Sequence, residues 1–183
     1  RSREALLTIG NGYFGSRGAF EESVANPVNY PGTYVAGLYN RLVSRVAERD
    51  IENEDFVRIP DWLQITFRID GGDWFDPNKA EIVDCYRNLD FRNGILHRVI
   101  TVKDSDGKET LIQSWRLASM NDPHLAALKY TISPINYKGK ITVRSTLNGN
   151  IINDGVDRYR QLNQKHLQSH NAGAENNICW LVT

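Results

Sequence analysis

The sequence lacks the features that mark several classes of protein. It contains no long apolar run, so no segment is predicted to span a bilayer. Its 22 basic side chains are balanced by 22 acidic ones. Without a basic excess, neither nucleic acid nor an anionic membrane is expected as the main partner.

Cysteine is scarce as well. Cys85 and Cys179 are the only two, and their wide separation favours two buried thiols in a reducing compartment over a disulfide. There is no N-x-[ST] glycosylation site and no visible secretory leader, although a start at Arg1 leaves removal of a leader open. Together these absences predict a cytoplasmic location.

Motifs for nucleophilic and phosphate-loop chemistry are missing too. The chain has neither a G-x-S-x-G elbow nor a Walker loop. His166 and His170 would share a face of a helix, but no second pair of ligands follows at metal spacing, so no metal site is expected. His97 and His124 fall in predicted strands, where ordinary hydrogen-bonded histidines are the simpler interpretation.

The chain does have a glycine-rich stretch near its start, Gly10-Asn11-Gly12-Tyr13-Phe14-Gly15-Ser16-Arg17-Gly18. Four glycines in nine residues indicate left-handed backbone or close approach by another group. The first three have the spacing of a dinucleotide loop, but such a loop opens a helix. Gly18 and two nearby prolines disfavour that helix, so nucleotide binding is not predicted.

Segments of strand-like composition fill the rest of the chain. Leu63 to Ile69 alternates strictly, and Asp70-Gly71-Gly72-Asp73 after it has the composition of a hairpin turn, with Trp74-Phe75 beginning the return strand. Further strands are predicted over residues 5–9, 33–39, 81–89, 95–103, 109–117, 124–133, 140–147 and 177–183.

Two stretches are predicted to be irregular. Residues 48–55 read as an acidic loop, and residues 148–175 as polar chain with one helical turn near residues 160–167. Short strands joined by Gly, Asp and Asn turns predict an all-β fold, an antiparallel β-sandwich formed by one domain over residues 1–183.

Acidic residues occur in groups that could carry chemistry. Asp70, Asp73 and Asp76 could bind a cation. An acid and base pair of the kind that glycosidases use could come from Glu21-Glu22 or from Glu52, Glu54 and Asp55. Turn chemistry and solvated loops explain both patterns more simply, and we favour that interpretation.

Four tryptophans could form a platform for stacking sugars. Tryptophan is more often found in a core or an interface, and that interpretation is preferred here. Trp62 and Trp74 flank the strand predicted at Leu63 to Ile69 and the turn after it, and are therefore the better candidates for exposure. The four are Trp62, Trp74, Trp115 and Trp180.

The motifs considered together resemble a known family. Residues 9–18, followed by Phe20-Glu21-Glu22, resemble the N-terminal signature of glycoside hydrolase family 65, which includes maltose, trehalose and kojibiose phosphorylases and acid trehalases. Residues 31–40 are similar to a second signature. Further matches follow in the family's order at residues 60–63, 68–71, 84–89, 122–128 and 158–162.

The resemblance implies an architecture of two parts. An N-terminal super-sandwich, related to the galactose-mutarotase-like fold, precedes a linker and an α/α-barrel that carries the catalytic glutamate and the phosphate-binding groups. None of that barrel is recognisable in this chain, so no catalytic residue is assigned. The sandwich itself is expected to be truncated at its C-terminal end.

The resemblance also implies a reaction for the intact enzyme, namely inverting phosphorolysis of an α-glucosidic disaccharide. Inorganic phosphate would be the co-substrate, and no cofactor is expected. The implied partners are a small carbohydrate and the protein's own catalytic domain. Hydrolysis of the trehalase type, and a stand-alone carbohydrate-binding module, are the alternatives.

Five residues are expected to meet the catalytic domain or lie next to substrate: Asn11, Tyr13, Arg17, Tyr39 and Trp62. Tyr and Arg are typical anchors of interfaces, and glycines allow close approach. The C-terminal strand, residues 177–183, is expected to lack its hairpin partner. Self-association of the isolated chain would then cover the free edge and the face turned toward the barrel.

Overall fold

The computed structural model describes residues 2–153 and 161–183. In those residues the chain forms one short helix and twelve strands, so the predicted all-β class is confirmed. The elements are α1 (Ser2–Leu6), β1 (Ile9–Gly10), β2 (Phe14–Ser16), β3 (Thr33–Val46), β4 (Arg49–Ile59), β5 (Ile65–Ile69), β6 (Glu81–Asp90), β7 (Ile95–Lys103), β8 (Glu109–Ala118), β9 (Ala126–Pro134), β10 (Ile141–Ser145), β11 (Asn171–Glu175) and β12 (Ile178–Val182).

The strands pair antiparallel in two larger sheets, β1-β2-β3-β4 and β6-β7-β8-β9, and in the two-stranded sheets β5-β10 and β11-β12. The apolar core lies between β5 and the β6–β9 sheet, where Phe67 packs with Ile100, Val102 and Ile112. Burial of these side chains joins the sheets face to face, as in a sandwich.

Strands β7 and β8 alternate buried and half-buried residues along most of their length. Their paired positions put Ile100 opposite Ile112, and Arg98 opposite Ser114, on the same buried face. The buried side chains of β7 and β8 are therefore mainly apolar near the turn that joins the two strands, and include Arg98 and Arg116 toward the opposite end. The charged end lies against the glycine-rich stretch and the residues that follow it.

The predicted acidic loop at residues 48–55 is wrong, because these residues form most of β4. Strands β3 and β4 form a long hairpin, and Ala47 and Glu48 turn it with positive φ angles of 46° and 64°. Arg41 and Glu54 face each other across the hairpin at 2.6 Å. Cross-strand pairs of opposite charge support strand pairing that acidic composition alone does not suggest.

The strand predicted over residues 5–9 is also wrong. The apolar run begins inside α1, and only Ile9 enters a strand. The Glu4 carboxylate is buried and accepts a hydrogen bond from the Tyr30 backbone N–H at 2.9 Å. An apolar run of five residues does not distinguish strand from helix, and here the tertiary contact of Glu4 accompanies the helix.

Two predicted strand pairings differ from those observed. Trp74-Phe75 does not form a return strand, because β5 pairs with β10, more than seventy residues farther along the chain. Phe75 is held against β5 by a single backbone bond to Phe67, at 2.8 Å. Strand β12 has a hairpin partner upstream in β11, so the expectation that residues 177–183 lack a hairpin partner is wrong.

Both cysteines are free thiols, and both are exposed, so the prediction that they are buried is wrong. The one helix among the described residues is too short to cross a membrane. Residues 161–167 contain no helix, and the rest of the predicted helical turn, with the family match at residues 158–160, lies outside the described residues.

Candidate functional site

The glycine-rich stretch, residues 10–18, forms the turn and second strand of the β1–β2 hairpin; we call it the signature loop. Gly12 sits at the turn with φ +86°, in the left-handed region that glycine accepts readily. Gly18 has a different role. A Cβ there would lie 2.5 Å from Leu7 Cβ, so close packing against the chain after α1 requires glycine.

Asn11 fixes the shape of the signature loop. Its side-chain oxygen accepts the backbone N–H groups of Tyr13 and Phe14, each at 3.1 Å. Its amide nitrogen donates to the carbonyl oxygens of Ser119 at 2.7 Å and Pro123 at 3.0 Å. The first two bonds fix the turn of the loop, and the last two tie the loop to the β8–β9 connection.

Arg17 turns inward from the same loop. Its Nε donates to the Tyr30 carbonyl oxygen at 2.9 Å, and its guanidinium lies 5.4 Å from the centre of the Tyr30 ring. Nη2 lies 3.7 Å from the Glu4 carboxylate, and about a fifth of the side chain is exposed. Arg17 therefore joins the signature loop to α1 and to residue 30.

Tyr13 projects outward beside an apolar groove of about 430 Å³, which we call the signature groove. The Tyr13 ring is 41 % exposed and meets His124 edge-on at 4.4 Å. Trp62, Leu125 and Leu181 are among the other lining residues. The structure thus brings two of the five predicted site residues, Tyr13 and Trp62, to one concave surface.

Tyr39 lies elsewhere, on the β3–β4 hairpin. It is 59 % exposed, and its ring contacts Phe56 at 5.2 Å, which in turn stacks on Tyr34 at 5.0 Å. Burial and the neighbouring Tyr30 hydroxyl raise the pKa of Tyr34 well above its usual range. Four of the five predicted site residues therefore lie in the signature loop or the signature groove, and Tyr39 lies in this separate aromatic row.

Residues directly after the signature loop enter a cluster of buried charges, formed by Glu21, Glu22, Arg98 and Arg116; we call it the buried ion cluster. Arg98 donates to both oxygens of Glu22, at 2.7 and 2.6 Å. Arg98 also lies 2.9 Å from Glu21, and Arg116 lies 2.9 Å from the other Glu21 oxygen. All four side chains are at most 2 % exposed.

The buried ion cluster also holds the backbone of the signature loop. Arg116 donates to the carbonyl oxygen of Ala19, and at 3.4 Å to that of Arg17. Arg87, on the edge strand β6, donates to the Gly18 carbonyl oxygen at 3.0 Å. Tyr130 donates to Glu22 from β9. Four strands of one sheet thus anchor residues 17–22.

The charges in the cluster control one another's protonation. Burial alone would raise the pKa of Glu21, but the charges of Arg116 and Arg98 lower it overall. Burial alone would lower the pKa of Arg98, but Glu22 and Glu21 raise it. Burial and the Glu22 charge raise the pKa of Tyr130. Glu21 therefore stays ionised and paired with its arginines at neutral pH.

The sequence interpretation of Glu21-Glu22 as an acid and base pair does not fit this geometry. Both carboxylates are fully buried and neutralised by arginine, so neither faces a surface at which substrate could bind. Glu52 and Glu54 pair with Arg41 on the β3–β4 hairpin, and Asp55 lies 3.1 Å from His166. In residues 2–153 and 161–183 no paired carboxylates line the signature groove.

The histidines behave mostly as structural residues. His97 lies in β7 and stacks on Trp115 at 4.7 Å. His124 precedes β9 instead of lying in it. His166 is buried against Asp55, away from any helix. Within the described part of the chain, no three His, Cys, Asp or Glu residues are placed to hold a metal ion.

The tryptophans are all at least partly exposed, so none belongs to the fully buried core. Trp62 lines the signature groove. Trp74 is contacted by the Arg68 and Arg144 guanidinium groups, and Trp115 by His97 and Lys129. Trp62 is therefore the tryptophan ring that the signature groove leaves open to a partner.

The described residues form an all-β domain with a buried ion cluster and a fixed glycine-rich loop. The family model described as "Glycosyl hydrolase family 65, N-terminal domain" matches residues 1–183. The chain belongs to this family, and the match covers its whole length. The resemblance stated from the sequence is thereby confirmed.

Its relatives include proteins of several activities. An uncharacterised glycosyl hydrolase of Mycobacterium tuberculosis is 44 % identical over 91 % of this chain and 13 % of its own length. A kojibiose phosphorylase of Caldanaerobacter subterraneus subsp. tengcongensis is 33 % identical over 90 % of this chain and 20 % of its own length. An α,α-trehalose phosphorylase of Thermoanaerobacter brockii is 33 % identical over 84 % of this chain and 21 % of its own length. The chain thus spans about an eighth to a fifth of these proteins.

Proposed function

We propose that this chain is a non-catalytic N-terminal domain of an enzyme that cleaves α-glucosidic disaccharides by inverting phosphorolysis. The observation that carries the proposal is the family match over the whole chain, together with relatives named kojibiose and trehalose phosphorylase. The non-catalytic role is supported by the burial and arginine pairing of Glu21 and Glu22.

In the proposed reaction, one carboxylic acid protonates the glycosidic oxygen as its bond to the anomeric carbon breaks. Phosphate attacks that carbon from the opposite face and forms a glucosyl phosphate of inverted configuration. Phosphate is already anionic, so the base that an inverting hydrolase needs to activate water is unnecessary. The acid would belong to a catalytic domain, and no residue of this chain is given that role.

The domain's own part, in this proposal, is to present the signature groove to the catalytic domain. Tyr13 and Trp62 would make the contact, because both line the groove and Tyr13 is 41 % exposed. Asn11 and Arg17 would position the loop, because their polar groups bond within the chain. Tyr39 would contribute a second point of contact on the β3–β4 hairpin.

A reducing, cytoplasmic location fits the proposal. Cys85 and Cys179 are exposed free thiols, which an oxidising compartment would expose to disulfide exchange and oxidation. Inorganic phosphate as co-substrate is part of the same proposal, and no cofactor is required by the reaction as written.

The test uses the intact protein with kojibiose, trehalose or maltose. We expect release of glucose together with a glucosyl phosphate of β configuration, dependent on added phosphate. Glucose released equally well without phosphate would favour hydrolysis instead, which the glycosyl hydrolase name of the 44 % identical relative makes the second candidate. Activity of residues 1–183 alone would contradict the non-catalytic role.

A further inference from the structure

A second concavity lies between the end of β5 and the turn that joins β7 to β8. It encloses about 400 Å³, within the range of roughly 300–1,000 Å³ typical of small-molecule pockets. We call it the turn cleft. Its lining comes from residues 67–69 and from parts of residues 72–80 and 102–110. It shares no lining residue with the signature groove.

The floor of the turn cleft is apolar and aromatic. Phe67 and Phe75 stack with their centroids 5.1 Å apart, and Val102 lies beside them in the lining. Phe75 retains partial exposure, whereas Phe67 is almost fully buried. An aromatic floor suits the apolar face of a pyranose ring, because the ring's C–H groups can pack on it.

Both walls of the turn cleft are fixed before any ligand arrives. On one side Phe75 donates its N–H to the Phe67 carbonyl oxygen at 2.8 Å, and its own carbonyl accepts from Thr66 Oγ1 at 2.9 Å. On the other side the Asp104 carboxylate accepts the backbone N–H groups of Asp106 and Lys108, both at 2.9 Å. A preformed site avoids the ordering cost of binding.

The rim offers polar groups that the chain leaves unused. Among the described residues, no hydrogen bond or ion pair is formed by the Asp73 carboxylate or the Lys79 ammonium group, and both residues are exposed. Arg68 also lines the cleft, and its Nε is a buried donor without an acceptor in the same residues.

The charges of the lining define the class of ligand. The lining contains four carboxylates (Asp73, Asp76, Asp104 and Asp106) and three cations (Arg68, Lys79 and Lys108), of which Lys108 lies 3.9 Å from Asp106. Excess carboxylate disfavours an anion, and interspersed cations disfavour a cation. Donors and acceptors above an aromatic floor suit a neutral ligand rich in hydroxyl groups.

We propose that the turn cleft binds a neutral glucosyl unit, at a site separate from the signature groove. The cleft and its preference for a neutral polyhydroxyl ligand follow from its own residues. The choice of glucose among such ligands rests on the function proposed above. Such a site would hold a glucoside on the N-terminal domain without taking part in bond cleavage.

The experiment follows Trp74, which lines the cleft and lies 4.9 Å from the Arg68 guanidinium. The intact protein is labelled with 5-fluorotryptophan, and the Trp74 resonance is assigned by Trp74→Phe. Methyl α-glucoside is the probe. We expect this resonance to shift saturably. The double variant Asp73→Ala/Lys79→Ala should weaken the apparent affinity at this resonance about tenfold or more.

The matched control is Lys138→Ala/Glu175→Ala, two exposed charges outside the cleft, which should titrate like the unaltered protein. A Trp74 resonance that does not respond, an unchanged affinity in the double variant, or tighter binding of glucose 6-phosphate would each overturn the proposal. Phosphate-dependent sugar release by the unaltered protein is measured separately. If no phosphate-dependent release is observed, the proposed function is contradicted. The response of the Trp74 resonance still tests whether the turn cleft binds a glucosyl unit.

Discussion

The buried face of β7 and β8 shows the same alternation of buried and half-buried residues at both ends, but different interactions stabilise the two ends. At one end Ile100, Val102 and Ile112 pack against Phe67 in an apolar core. At the other end the inward positions carry arginines 98 and 116, neutralised by glutamates 21 and 22.

The difference comes from what covers each end. Strand β5 brings aromatic and aliphatic side chains over the apolar end, where burial stabilises without requiring a particular angle. The chain after the signature loop covers the charged end, where bidentate contacts between arginine and carboxylate fix distance and direction. The apolar core therefore supplies cohesion, and the buried ion cluster fixes residues 17–22 in place.

The largest expected effect comes from removing one member of the buried ion cluster. Arg98→Met would leave Glu22 without its bidentate partner in a fully buried position. Breaking a buried ion pair in this way costs about 3–5 kcal/mol. Urea unfolding of the 183-residue chain should show this loss. A cost below about 1 kcal/mol would mean that water reaches the cluster and the contrast between the two ends is weak.

A double variant sharpens the interpretation of that result. Arg98→Met combined with Glu22→Gln removes the unpaired charge and leaves the Glu21–Arg116 contact in place. We expect the double variant to be more stable than Arg98→Met alone, because the single change leaves an uncompensated buried carboxylate. Equal or lower stability would assign the loss to packing instead.

The next effect concerns the apolar end. Ile112 is fully buried, so Ile112→Ala should destabilise the chain by about 2–5 kcal/mol through lost burial and the cavity left behind. Unlike the effect at the charged end, this loss should not change with salt concentration or moderate changes of pH. The measurement is urea unfolding at two salt concentrations. A loss of stability that becomes clearly smaller in high salt would contradict the view that this end of β7 and β8 is stabilised by apolar burial.

A pair of glycine substitutions compares the two ends of the signature loop. Gly18→Ala would place a methyl group 2.5 Å from Leu7 Cβ and 2.7 Å from the Leu7 carbonyl oxygen, which should cost about 1–3 kcal/mol. Gly12→Ala meets open space and only strains the positive φ, at about 1 kcal/mol. Thermal unfolding of both variants should give this order. The reverse order would contradict the close packing at Gly18.

A smaller effect at neutral pH, with a distinct signature in acid, is expected from Glu21. Burial alone would raise its pKa, but Arg116 and Arg98 lower it below its usual value near 4.5 in the folded state. Its contribution is therefore present above the ordinary glutamate pKa, and is lost as the pH falls through the lower folded-state pKa. Melting temperatures between pH 7 and pH 2 should fall over this window.

Glu21→Gln is the control for the acid effect. The variant lacks the titrating group, so its melting temperature should fall less over the same window than that of the unaltered chain. Identical acid dependence in the two proteins would show that other carboxylates account for the acid sensitivity.

The smallest effect on stability is expected at Tyr13. The ring is partly exposed and contacts His124 at its edge, so Tyr13→Ala should change the free energy of unfolding by about 1 kcal/mol or less. In the intact protein, the same change should lower phosphate-dependent activity if the groove meets the catalytic domain. Phe91→Ala, at an aromatic side chain 90 % exposed outside the groove, is the matched control. Equal activity of the two variants would count against the docking role.

The two strands whose burial alternates along most of their length are predicted well by the sequence. Residues 95–103 and 109–117 correspond to β7 and β8, because half-buried strands display a period of two in their side chains. The β3–β4 hairpin escaped prediction beyond residue 39, since its supporting pairs, such as Arg41 with Glu54, lie thirteen residues apart and carry no local pattern.

The site was predicted only in part, for a similar reason. Glycine spacing singled out the signature loop, but the same pattern does not distinguish an outward Tyr13 from an inward Arg17. The sequence shows Glu21-Glu22 as a carboxylate pair but does not reveal its arginine partners, which lie on β7 and β8, more than seventy residues away. Lone arginines inside alternating strands are a usable signal, because a charged residue at an inward position requires a partner.

The sequence by itself determined the all-β class, the family and the position of the glycine-rich loop, because periodicity, turn residues and motif order are local properties of the chain. Only the tertiary structure decided that Glu21 and Glu22 are neutralised in the interior, that Tyr13 and Trp62 line one groove, and that β5 pairs with β10. Each of these depends on contacts between residues far apart in sequence. Burial and charge pairing, which local composition does not encode, select them.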